Sequence, residues 1–393
     1  MCVALSLSAQ NIQWRGENRT GVYNEKGLLK SWTANGPQLL WHYDGLGEGH
    51  SSVAIDADKV YVTGMTGSTG YVYVFDMNGK LLNKKEYGAE WDKSYNGSRG
   101  TVTINEGKLY IFAGTGNLIC MNQNTLEILW KKNIETDFEG KNIMWGVNES
   151  PLIVGEKVII SPGGKKHNVV ALNKNDGSLI WSCPGEGDVS SYCSPLYIDN
   201  QQVPQVVTMM SSYILGIDIA TGKKLWSIPY ENNRKIHPNT PIYDNKDMLL
   251  CTSGYGKGSV MLRLTNGGRS VEKVWELAAI DSRMGAMVKI GDYVYGSGDA
   301  NKFWFCVDWK TGEIKYKDNS LVIGVVIADA DGMLYCYSDK GDMALVKATP
   351  EKFNLISKFP ITLGTEQHWA HPVIYQGILF VRHGDTLMAY KIK

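Results

Sequence analysis

Short runs of alternating apolar and polar residues recur along this chain, each starting just after a Gly or Asp turn, the pattern of half-buried β-strands. Lys59-Val60-Tyr61-Val62, Lys108-Leu109-Tyr110-Ile111, Lys157-Val158-Ile159-Ile160, Tyr293-Val294-Tyr295, Met333-Leu334-Tyr335 and Ile378-Leu379-Phe380 share one phase. With Val207 and Leu250 in the two less regular units, the phase marks positions 61, 110, 159, 207, 250, 295, 335 and 380. They lie 40 to 49 residues apart, about 46 on average, the spacing of four-stranded propeller blades. Eight markers predict eight blades.

A second signature follows later in the unit. Thr221-Gly222 precedes Trp226 by four residues from the glycine, and Gly177 to Trp181, Gly312 to Tyr316 and Leu126 to Trp130 keep that offset. It predicts a turn needing φ > 0, then a strand whose aromatic ring lies across the neighbouring blade. The last unit (His371 to Ile374, Ile378 to Arg382, Thr386 to Ile392) is one strand short, while Pro37 to Tyr43 resembles an outer strand with no blade before it. Pairing the two removes the open edge. The expected fold is therefore all-β: an eight-bladed β-propeller of four-stranded antiparallel blades, closed by an N-terminal strand joining the last blade. No Pro/Ser-rich or charged tract divides the chain, so residues 11–393 are expected to form one domain.

Composition narrows the functional classes. Forty basic and forty acidic residues cancel to a net charge of +0, which argues against nucleic acid or an anionic membrane surface as partner. No apolar run approaches the length of a membrane span. Met1 to Ala9 reads as the later part of a secretory signal, so residues 1–10 are expected to be a truncated signal peptide and the protein to be exported, periplasmic or envelope-associated. Cys2 lacks a lipoprotein context. The other six cysteines are dispersed without C-x-x-C spacing, which removes the usual support for zinc and fits buried thiols; a Cys183–Cys193 disulfide is compatible with an oxidising compartment. Nucleotide-loop, zincin and nucleophile-elbow motifs are absent, and Gly163-Gly164-Lys165 reads as a hairpin turn.

The Thr-Gly-x-x-x-Trp turn, the eight units and the opening Trp14-Arg15-Gly16-Glu17-Asn18-Arg19-Thr20-Gly21 resemble the quinoprotein-like (PQQ-like repeat) eight-bladed β-propellers. Among these the chain is most similar to exported bacterial proteins sometimes labelled polyvinyl-alcohol-dehydrogenase-like. Gly97-Ser98-Arg99-Gly100, Trp145 to Pro151, Ser161 to Lys165 and Trp369 to Pro372 carry that likeness. For the catalytic relatives the resemblance implies a quinone stacked between a Trp and adjacent cysteines, with Ca²⁺ beside a catalytic Asp. This chain has no adjacent cysteines and no Asp in the three-residue entries to its first strands, His50-Ser51-Ser52 through Trp369-Ala370-His371. Asn148 and Glu149 are weak Ca²⁺ candidates, and alternation along a strand would turn them to opposite faces.

In a propeller the segments leading into each blade's first strand converge at the central funnel. That phase nominates His50, Arg99, Trp145, Glu149, Tyr192, His237, Asn239, Arg283, Trp369 and His371 as funnel residues, with no assigned catalytic residue. The blade entering through Leu321-Val322-Ile323 lacks a polar group. The bland alternative is that such residues cap strand ends or bridge blades, with Arg99 and Glu149 as a structural ion pair. The expected function is a non-catalytic binding or scaffolding module without cofactor, taking a small molecule, glycan or peptide in the funnel, or an envelope protein. That last partner follows from the resemblance, because non-catalytic relatives include an outer-membrane assembly lipoprotein. The alternative is a PQQ- and Ca-dependent alcohol dehydrogenase.

Overall fold

The computed structural model describes residues 12–285 and 287–393; the proposed signal segment, Cys2 and Asn11 lie outside them. Eight four-stranded antiparallel sheets follow one another around a ring. Their first strands are Ala54–Asp56, Thr103–Asn105, Leu152–Val154, Leu196–Ile198, Ile242–Tyr243, Met287–Ile290, Gly324–Asp329 and Val373–Tyr375, which define blades 1 to 8. Each marker residue sits in the second strand of its blade, Tyr61 in Lys59–Thr66 through Phe380 in Ile378–His383. Second and third strands are buried on both faces and read as nearly continuous apolar runs, whereas outer strands alternate with solvent. The core is a ring of seams between blades: Tyr61 and Val72 of blade 1 pack with Leu109 and Ile119 of blade 2, and Trp181 and Val169 of blade 3 with Val206 and Leu215 of blade 4.

The seams are held by the predicted tryptophans. Trp181 of blade 3 lies over Gly222 in blade 4, whose φ is +72° and whose absent Cβ would stand 2.8 Å from the indole. Its Nε1 donates to the Ile219 carbonyl at 2.9 Å. Trp130 repeats this on Gly177 and Lys174. Trp41 does so on Gly79 and Met77, and Trp275 on Gly312 and Trp309. Trp226 departs from the pattern. Its ring fills the space over Gly216 of its own blade and donates to Gln205 Oε1 at 2.8 Å.

Ring closure follows the sequence pattern. Gln38–Tyr43 pairs antiparallel with Thr386–Lys391, from Gln38 opposite Lys391 to Tyr43 opposite Leu387. A second N-terminal contribution was not foreseen. Val22–Tyr23 adds a fifth, parallel strand on the inner side of blade 7, Val22 opposite Ala328. Residues 12–21 thus thread the hub, turning through positive φ at Arg15, Gly16, Asn18, Arg19 and Gly21. Two arginines anchor the segment. Arg15 donates to the carbonyls of Gly285, Met287 and Thr20, and Arg19 to those of Ser150 and Pro151 at 3.0 and 2.7 Å. Both are buried, and desolvation lowers each guanidinium to about 10, so both stay charged at neutral pH.

The compatible Cys183–Cys193 disulfide is not formed. The six described cysteines are free and buried. Cys183 ends the outer strand of blade 3, while the Cys193 thiol, leading into blade 4, donates to the Asn239 carbonyl at 3.3 Å.

Candidate functional site

A cavity of about 180 Å³ opens at the hub, lined by segments leading into seven of the eight blades. His50 comes from blade 1, Tyr95 and Arg99 from blade 2, Trp145, Asn148 and Ser150 from blade 3, and Tyr192 and Ser194 from blade 4. Ile236 and Pro238 come from blade 5, Arg283 and Met284 from blade 6, and Trp369 and His371 from blade 8. Tyr255, in a turn of blade 5, and Trp14 of the hub segment complete the wall. The apolar lead-in of blade 7, Leu321 to Ile323, contributes nothing to it.

One side of the cavity is an aromatic arc. Tyr95 stands 5.2 Å from Trp369 and 6.4 Å from Trp145, and Trp145 stands 6.2 Å from Tyr192, between ring centroids. The Tyr192 hydroxyl accepts from the Trp145 backbone N–H at 2.9 Å, and burial raises its pKa to about 12. Tyr95, Tyr192 and Tyr255 all have left-handed backbones, with φ of +46°, +74° and +59°. Each costs about 1–2 kcal/mol for a residue with a Cβ, so three around one cavity indicate placement maintained against local preference.

The two histidines of the wall are neutral. His371 accepts from Arg15 at Nδ1 (3.0 Å) and donates from Nε2 to the Met284 carbonyl (2.7 Å), while Trp14 packs edge-on against it at 4.5 Å. Burial and then the Arg15 charge depress it to about 3. His50 lies against Trp369 at 5.1 Å, and burial, Arg99 and Arg382 depress it to about 3. Arg283 is paired with Asp299 at 3.2 Å and Asp339 at 3.6 Å. Arg99 donates through Nη2 to the carbonyls of Ser94 (2.8 Å) and Tyr95.

Seven of the ten nominated residues meet here: His50, Arg99, Trp145, Tyr192, Arg283, Trp369 and His371. Glu149, His237 and Asn239 do not, because each occupies the alternate phase of its segment and faces a seam. Glu149 is buried, with Oε2 accepting from the Ser161 N–H at 3.2 Å and burial raising its pKa to about 8. It makes no ion pair with Arg99. His237 is enclosed between Ser253 Oγ and the Ser211 carbonyl, and burial lowers it to about 4. The Asn239 amide clamps blade 5 to blade 6 through the carbonyls of Thr252 and Ser282. Sequence reasoning missed Trp14, Tyr95, Tyr255 and Ile236; the glycines beside the two tyrosines (Asn96-Gly97, Gly254 and Gly256) were the signal for turns displaying them.

A quinone with Ca²⁺ would need hard oxygen ligands in the wall. Asn148 faces the cavity and Glu149 faces away, as alternation requires. Among the described residues no Asp or Glu lines the cavity. Among the described residues no three His, Cys, Asp or Glu gather as a metal site. The residues present do not fit that pair.

The profile of a family described as outer membrane protein assembly factor BamB matches residues 68–318. The chain belongs to that family. It is 25% identical over 236 residues to the outer membrane protein assembly factor BamB of Shewanella oneidensis, covering 59% of this chain and 55% of that protein. It is 27% identical over 206 residues to a 1-butanol dehydrogenase (cytochrome c) of Thauera butanivorans, covering 47% of this chain and 29% of that enzyme. The chain thus spans about half of one curated relative and under a third of the other. The crystal structure of BamB from Moraxella catarrhalis matches 91% of this chain and 100% of its own, with TM-score 0.66 at 16% identity, a likeness of fold. The quinoprotein-like resemblance of the repeats is borne out. Among the described residues no helix is long and apolar enough to cross a membrane.

Proposed function

We propose that the chain is an exported, non-catalytic binding and scaffolding propeller of the cell envelope, acting through the hub cavity. One observation carries this reading: among the described residues the wall joins tyrosines and tryptophans to two arginines and includes no carboxylate or ionisable histidine to serve as a base at neutral pH. Trp, Tyr and Arg in a desolvated pocket are the composition of a recognition hot spot, whereas proton transfer needs a group titrating near the working pH. The family name supports an envelope setting and a protein partner. The dehydrogenase relative supports the alternative of quinone-dependent alcohol oxidation, which the donor set disfavours.

A photo-crosslinking residue at Tyr95, half exposed beside the cavity, tests this reading in cells, with Ile128 on an outer strand as control. A discrete adduct with one envelope protein or small molecule from position 95, absent from position 128, is expected. Equal adducts from both positions would overturn the reading, as would dye-linked alcohol oxidation by the full chain supplied with quinone and Ca²⁺.

A further inference from the structure

The charges around the cavity are unevenly satisfied. Arg283 faces two carboxylates at ion-pair distance. Arg99, on the opposite side of the ring, has none among the described residues, although it is only 9% exposed. Glu90, the acid whose field reaches it, is turned away and accepts from the Tyr87 hydroxyl and the N–H groups of Trp91 and Gly114 at 2.7, 3.1 and 2.8 Å. Among the described residues only Nη2 of the guanidinium meets protein acceptors; Nε is enclosed without one, and Nη1, also without one, is not enclosed. A largely buried guanidinium whose Nη1 is unmatched and still reachable is best completed by an anion in the cavity. The wall around it is aromatic, and the volume of about 180 Å³ compares with the roughly 150 Å³ cavity that encloses one benzene.

We propose that the cavity recognises a carboxylate carried on one ring-sized apolar group, with Arg99 receiving the carboxylate and Tyr95, Trp145 and Trp369 enclosing the apolar part. This rests on the binding role above and names its ligand class. A free aromatic acid and the C-terminal residue of a polypeptide present the same chemistry. His50 and His371 stay neutral down to about pH 3, so neither adds a charge to the anion site between pH 5 and 8.

The test titrates the full chain calorimetrically with phenylacetate, phenylacetamide and a tripeptide ending in Phe, the last with a free or an amidated C-terminus. Phenylacetate is expected to bind at least tenfold more tightly than its amide, with Arg99→Gln erasing the difference and Arg99→Lys retaining part of it. Thermal melts verify the fold of both variants, and the lysine variant serves if the glutamine one does not fold. Tighter binding of the free-ended peptide than of phenylacetate assigns the ligand to a chain end, and the reverse to a free acid. Equal affinity for acid and amide, or a preference that survives Arg99→Gln, overturns the inference while leaving a binding cavity in place. No binding of any probe at millimolar concentration also overturns it, and the binding role falls with it only if position 95 yields no selective adduct.

Discussion

Glu149→Gln offers the sharpest test of how the seams are built. The Glu149 side chain is 1% exposed; one carboxyl oxygen accepts from the Ser161 N–H and the other has no partner among the described residues. Burial raises it from the ordinary 4.5 to about 8, against a weaker pull from Arg19. A carboxyl raised in this way keeps its proton when folded and loses it when unfolded. Its contribution to stability is therefore complete below about pH 4.5 and disappears as pH climbs through about 8. The buried histidines act with the opposite sign. His50, His371 and His237, depressed to about 3, 3 and 4, favour folding above their unfolded value of 6.5 and lose that benefit as pH falls. Comparison with a variant that lacks only this carboxyl cancels the histidines, and between pH 6.5 and 8.5 the Glu149 loss amounts to about 2 kcal/mol. Urea unfolding at these two pH values should show wild type losing about 2 kcal/mol more than Glu149→Gln, which keeps the shape but cannot titrate. Equal pH responses in the two proteins would refute a protonated Glu149 at the seam.

Three further outcomes are expected. Gly222→Ala should cost about 2–3 kcal/mol by thermal unfolding, combining left-handed strain with the indole contact, whereas Gly67→Ala, with φ +63° and open space, should cost about 1 kcal/mol. Arg15→Met should destabilise by about 3 kcal/mol or more, because it strips donors from the Gly285, Met287 and Thr20 carbonyls; an unchanged melt would mean that the hub segment is not held there. Cys120, Cys183, Cys193, Cys251, Cys306 and Cys336 should resist a polar thiol reagent until denatured, and dithiothreitol should leave the melting temperature unchanged.

The repeats were legible because blade strands are short, separated by turns and buried on a fixed phase, so Tyr61, Tyr110 and Phe380 announce equivalent positions. Closure was legible because a lone outer strand, Pro37 to Tyr43, had only one sheet to complete. At the entries to the first strands the cavity was legible to within one residue, whereas Trp14, Tyr95 and Tyr255 lie outside that phase. Alternation sends Asn148 inward and Glu149 into a seam, and a phase read from turns cannot distinguish adjacent positions. The role of Arg15 and Arg19 was hidden for a different reason: the hub segment has no periodicity, and its backbone carbonyl partners come from blades 3 and 6, which no local pattern connects to it.

The clasp imposes a schedule on biogenesis. Asp44, just beyond its N-terminal strand, meets Thr386 across 342 residues of sequence, so the early strand must wait until its partner strand has been synthesised. Until then blade 8 exposes an unpaired margin, and joining such distant partners is slow because the loop entropy must be spent first. Nascent chains should therefore be most vulnerable to aggregation before Thr386–Lys391 emerges, and a circular permutant that places the clasp strand directly after Lys391 should shorten that interval without altering the finished ring.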